Sequence, residues 1–127
     1  MRWIEKRRKA DDKFHVGGLL FVAGWLFIEK DTESPNRPEG LKKFVQGNWD
    51  KLGPWVETPL DFEAVSKSTQ NKKLLISDND EFTIDHNKNE HEFKEKLAFE
   101  VEAFQFKHFN GSEYPQILEK ATELLGN

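Results

Sequence analysis

The segment from Phe93 to Phe109 constrains the fold more than any other part of the chain. It holds five of the eleven phenylalanines, and most odd positions through Ala103 are apolar with charged residues between them. This alternation is typical of a half-buried β-strand. Apolar residues then move to even positions at Phe104 and Phe106, a change of phase that a β-bulge produces. We therefore predict a bent strand across this segment.

A helix is the alternative for the same segment. Asn89 and Glu92 have the spacing of a capping box, which is typical of a helix start. In a helix, however, Phe99 and Phe106 would lie opposite the face that holds Phe93, so both sides would need burial. We favour the strand, which either bends near Ala103–Phe104 or begins with a turn of helix before Leu97.

Other parts of the chain indicate further strands. Lys73–Ser77 and Glu81–Asp85 flank the turn residues Asp78–Asp80, which predicts a hairpin leading into the phenylalanine-rich strand. The apolar run Val16–Ile28 predicts a buried pair of strands, or one strand broken at Ala23–Gly24, in the centre of the sheet.

Two helices are predicted around this sheet. A short one lies near Pro38–Gln46, in a position where Gly47 would end it. The second, near the carboxyl end, has an apolar stripe of Ile117, Leu118, Ala121, Leu124 and Leu125. We expect Leu118 to be a core residue. The predicted fold is a single α+β domain over residues 1–127, with an antiparallel meander sheet packed against the C-terminal helix and one further short helix.

Composition and charge exclude several classes of function. The formal net charge is −4 and the chain has no cysteine. Nucleic-acid binders are usually basic, so we predict no nucleic-acid partner. The missing cysteines exclude disulfides and thiolate metal sites, and they favour a cytoplasmic location. The thirteen residues Val16–Ile28 are too few for a membrane helix, which needs about twenty, so we predict no membrane span.

Metal and catalytic motifs are incomplete. His91 and Glu92 begin an HExxH pattern, but Glu95 stands where the second histidine belongs. The Asp78–Asp80 segment begins like a calcium loop and then has Thr83 where that loop needs glycine. We therefore predict no metal, no cofactor and no catalytic residues.

Negative charge is concentrated between residues 78 and 102. Nine acidic residues face three lysines there, a balance of −6. On the strand interpretation, alternation places many of these carboxylates on one wet face, which is either solvated or a docking surface for a basic protein. The candidate contact residues are Asp78, Asp80, Glu81, Asp85, Glu100 and Glu102.

The sequence leaves two functions open. The first is a non-enzymatic acidic binding protein that docks on and inhibits a basic partner protein, in the manner of an immunity protein against a nuclease-like toxin. Trp49 and Trp55 are secondary candidates for an aromatic contact. The alternative is a small-ligand-binding or enzymatic α+β domain with an aromatic-lined cavity. A ligand-sized apolar cavity would favour the alternative, and a flat acidic sheet face would favour the first.

Overall fold

Helices separate the three strands of the structure, a computed structural model that describes residues 1–26, 38–83 and 85–126. The described elements are, in chain order, α1 (Arg2–Ala10), β1 (Leu19–Val22), α2 (Glu39–Gly47), α3 (Trp49–Glu57), α4 (Phe62–Ser66), β2 (Lys72–Ser77), α5 (His86–Leu97), β3 (Glu100–Phe104) and α6 (Pro115–Gly126). The short helix predicted near Pro38–Gln46 is present as α2, with Pro38 at its N-cap.

All three strands run parallel, in the order β1–β2–β3. Phe21 pairs with Leu74, and Leu74 in turn pairs with Val101. Parallel neighbours need a long crossover connection, and α5 supplies it between β2 and β3. The predicted antiparallel meander is therefore wrong, and six helices are described where the sequence indicated two.

The hairpin predicted after β2 is not formed. Its first half is correct, because Lys73–Ser77 lies within β2. Glu81 and Phe82 instead lie in a turn, and Asp85 is the N-cap of α5, where its carboxylate accepts a hydrogen bond from the backbone N–H of Lys88 at 2.9 Å. Ile84 lies outside the described residues. The apparent alternation therefore belongs largely to a turn and a helix cap.

The segment Phe93–Phe109 contains a helix end, a short strand and a turn. Phe93 and Leu97 are four residues apart on α5 and both are fully buried, which is the spacing of one helix face. Ala98 then adopts φ 54° as the left-handed cap of the helix, and β3 begins at Glu100. The continuous strand is thus wrong, and the alternative that the segment begins with helix before Leu97 is correct, because α5 ends at Leu97.

The main core lies between one face of the sheet and the helices α1, α4 and α5. Phe21 stacks on Phe99 with ring centroids 5.3 Å apart and meets Phe93 edge-on. Large buried rings of this kind supply much of the apolar area that stabilises a small domain. The buried members of the cluster are Ile4, Leu19, Val65, Leu74, Ile76, Phe93, Leu97 and Phe99.

The strand predicted at the centre of the sheet lies at its edge. In the described part of the run Val16–Ile28, only Leu19–Val22 forms a strand, and among the described strands it pairs with β2 alone. The strand ends where Ala23 adopts φ 51°, close to the predicted break. Phe27 and Ile28 lie outside the described residues. Because β2 holds the central position, its residues from Leu74 to Ser77 are all buried.

The helix α6 packs on the second face of the sheet, against β1 and β2. It confirms the predicted C-terminal helix, but not all of its apolar stripe. Leu118 is 72% exposed and Leu125 is 88% exposed. The expectation that Leu118 belongs to the core is therefore wrong, because its side chain lies on the solvent-exposed side of α6.

Candidate functional site

The predicted acidic docking residues fall into two groups with different surroundings. Asp78, Glu81 and Asp85 are exposed in the segment that joins β2 to α5. Asp80 lies in the same segment but is only 3% exposed. Its carboxylate therefore faces the protein rather than a partner.

Glu100 and Glu102 lie on β3 and form ion pairs with lysines on the α6 side of the sheet. Lys73 Nζ is 3.0 Å from Glu100 Oε2, and Lys120 Nζ is 2.9 Å from Glu102 Oε1. Glu123 bridges the two lysines at 3.0 and 3.1 Å. The structure thus gives both predicted contact residues a role in attaching α6 to the sheet.

The same ion pairs shift the pKa values of Glu123 and Lys120. Hydrogen bonds from Lys73 and Lys120 lower the pKa of Glu123, because both donors favour its ionised form. The carboxylates of Glu102 and Glu123 raise the pKa of Lys120. Two lysines and three glutamates leave this network with one net negative charge, far less than a fully unpaired acidic face would carry.

An apolar cavity of about 350 Å³, which we call the aromatic cavity, lies between α1, α3 and the segment that precedes α4. This volume is within the range of small-molecule sites, about 300–1,000 Å³. Walls come from the first turn of α1, from α3, from the segment before α4 and from the residues that follow β1. The rings and aliphatic side chains that matter most are Trp25, Leu26, Leu52, Trp55, Leu60 and Phe62.

Arg2 fixes the shape of this cavity. Its guanidinium donates hydrogen bonds to the backbone carbonyl of Pro59 at 2.7 Å, to that of Trp55 at 3.2 Å and to that of Thr58. These carbonyls stand at or just beyond the carboxyl end of α3, where helix carbonyls lack partners within the helix and favour a cation. One side chain of α1 therefore holds the end of α3 in place.

The two tryptophans predicted as aromatic contacts have different positions. Trp55 lies in the cavity wall and is 74% exposed. Trp49 is on the same helix but packs on Gly53, where an added Cβ would approach its Nε1 to 2.9 Å. Both rings belong to one helix, because α3 spans Trp49–Glu57 and tolerates Pro54 within it.

Sequence reasoning missed Trp25 as a site residue. It is 52% exposed and lines the cavity, although it stands in the most apolar run of the chain. Its position after Gly24 is the signal that could have found it. Asn89 binds the turn there, because its Nδ2 donates to the Gly24 carbonyl at 2.8 Å and its Oδ1 accepts from the Leu26 N–H.

Within the described ranges, no three His, Asp or Glu side chains are grouped closely enough to hold a metal ion. None of the described helices has the length and apolar character needed to cross a bilayer.

Comparison of the chain with protein-family models, with curated proteins and with solved structures finds no match.

Proposed function

We propose that the protein binds a small uncharged molecule with a planar apolar ring in the aromatic cavity. The observation that carries this proposal is the presence of two exposed tryptophan rings, Trp25 and Trp55, in the wall of a cavity of ligand size. Leaving such rings in water is unfavourable, at about 25 cal/mol per Å² of apolar surface. A ligand that stacks on them would remove that area from water.

The charge of the lining supports an uncharged ligand. Arg2 is the charged side chain in the wall, and its donors already meet three backbone carbonyls. Its guanidinium also lies 3.6 Å from the carboxylate of Glu5. An anionic ligand would have to compete with these partners, whereas a neutral ring needs none of them.

Fluorescence of the uncharged probe N-phenyl-1-naphthylamine tests the proposal, because its emission rises in apolar surroundings. The probe has about 17 non-hydrogen atoms, so about −0.3 kcal/mol per atom predicts a Kd on the order of 0.2 mM. We expect saturable binding of one probe per chain, accompanied by a change in tryptophan emission.

Two matched variants locate the binding. Leu52→Trp adds a ring inside the aromatic cavity and should abolish saturable binding of the probe. Leu125→Trp places the same ring on the exposed side of α6 and should leave the Kd unchanged. Far-UV circular dichroism checks that both variants fold. Equal binding by the two variants would show that the probe lies elsewhere and would overturn the proposal.

The acidic inhibitor of a basic protein stays a prediction. Glu100 and Glu102 already have lysine partners, so a basic protein would compete with Lys73 and Lys120 for them. The cytoplasmic location likewise stays a prediction, supported by the cysteine-free composition.

A further inference from the structure

A buried carboxylate and a histidine meet at the carboxyl ends of β2 and β3. Because the two strands are parallel, the segment after β2 and the turn after β3 emerge at the same edge of the sheet. Asp78 N–H donates to the Phe104 carbonyl at 2.9 Å and joins the two segments there. Parallel α/β sheets commonly bind ligands outside this edge.

Asp80 is held rigidly at this edge. Its Oδ1 accepts a hydrogen bond from the Phe82 N–H at 2.8 Å, and its Oδ2 lies 2.8 Å from His108 Nδ1. The side chain is 2% exposed. A buried carboxylate in this geometry fixes the imidazole tautomer, with the proton on Nδ1 directed at Asp80.

The turn that carries His108 is pinned on both sides. Asn79 Oδ1 accepts the Lys107 N–H at 2.8 Å, and Ser77 Oγ accepts the Phe106 N–H at 2.9 Å. Lys107 and Phe109 both have φ 52°, a left-handed conformation that is unfavourable for side chains of this size. Backbone strain of this kind persists only where the surroundings enforce it, and it clusters at functional sites.

The imidazole itself remains accessible. Its side chain is 39% exposed, and its ring packs against Phe82 with centroids 4.6 Å apart. With Nδ1 occupied by Asp80, the accessible lone pair is on Nε2. The segment after β2 and the turn after β3 surround the ring. In addition to Asp80, their charged side chains near His108 are Asp78, Glu81 and Lys107.

We propose that His108 is a general base for the hydrolysis of a small aryl ester and that Asp80 is its positioning residue. Nε2 takes a proton from a water molecule as the water oxygen bonds to the ester carbonyl carbon, and the carbonyl electron pair moves to oxygen. When this intermediate collapses, the bond to the aryl oxygen breaks and the phenol leaves with the proton from Nε2. The partly exposed ring of Phe82 offers the aryl group a surface to stack on.

Hydrolysis of p-nitrophenyl acetate by the full chain between pH 5 and 9 tests this proposal. We expect a rate that rises with deprotonation of one histidine. His108→Gln should lower it at least about 100-fold, the lower end of the usual contribution of a general base. His91→Gln, at an exposed position on α5, is the matched control and should keep the wild-type rate.

Two further measurements separate catalysis from a structural role. Asp80→Asn removes the carboxylate that orients the imidazole, so kcat for nitrophenolate release should fall while KM stays close to the wild-type value. Free imidazole should raise hydrolysis by His108→Ala above the rate that the same concentration of imidazole gives without protein. A wild-type rate in His108→Gln, or equal losses in His108→Gln and His91→Gln, would overturn the proposal. Hydrolysis is measured by nitrophenolate release, whereas ligand binding in the aromatic cavity is measured by probe fluorescence. A negative result for one proposal therefore leaves the other unaffected.

Discussion

Leu97 and Leu118 place the same side chain in opposite surroundings. Leu97 is fully buried in the core cluster, whereas Leu118 is 72% exposed on α6. We expect Leu97→Ala to lower the free energy of unfolding by about 2–5 kcal/mol, from lost transfer energy and a cavity. Leu118→Ala should stay within about ±0.5 kcal/mol, as exposed substitutions usually do. Urea titration measures the free energy of unfolding of both variants. Similar losses in the two would contradict the placement of Leu118 on the exposed side of α6.

Asp80 and His108 show a property of single residues that the sequence does not reveal, which is their contact in the folded chain. Asp80 was grouped with exposed carboxylates because it stands in a polar turn, but burial and the contact with His108 depend on a turn 28 positions away. The available signal was its position directly after a buried strand. Parallel pairing of β2 with β3 then brings the two residues together, and that pairing was not predicted.

At the scale of elements, the sequence predicted the presence of helices and strands better than it predicted how they join and pair. The helices α2 and α6 and the strand β2 lie where the sequence indicated them. The boundary between α5 and β3 was predicted only as an alternative to a continuous strand, because Ala98 holds the left-handed cap that glycine usually occupies. All four described residues with positive φ are non-glycine, and no described glycine has positive φ. The usual turn signals were therefore absent at these bends.

This unusual cap gives a prediction at the helix end. Ala98→Gly should raise the free energy of unfolding by roughly 0.5–1 kcal/mol, because glycine relieves the left-handed strain at φ 54°. Ala103→Gly is the matched control on β3, where glycine should lower stability by about the same amount. Denaturant titration distinguishes the two signs. A loss of stability in both variants would mean that Ala98 is not strained.

At the scale of the whole molecule, the core draws on most of the chain but not evenly. The described core cluster and the side chains packed on it come from α1, the strands, α4, α5 and the segments beside them. None of those described residues belongs to α2 or α3. These two helices contact each other, and Arg2 bonds the end of α3 to α1. Local unfolding free energies often differ between such units even within one domain.

Val45 and Val65 test whether α2 and α3 unfold with the core. Both valines are 0% exposed, but Val65 belongs to the core cluster and Val45, on α2, is buried outside it. Each Val→Ala change should cost roughly 1–3 kcal/mol. If the two helices open separately, Val45→Ala should speed amide hydrogen exchange in α2 and α3 alone, while Val65→Ala speeds it in β2 and α5. If Val45→Ala instead speeds exchange equally in β2, the chain opens as one cooperative unit. Such behaviour is what a single cooperative domain over residues 1–127 would show.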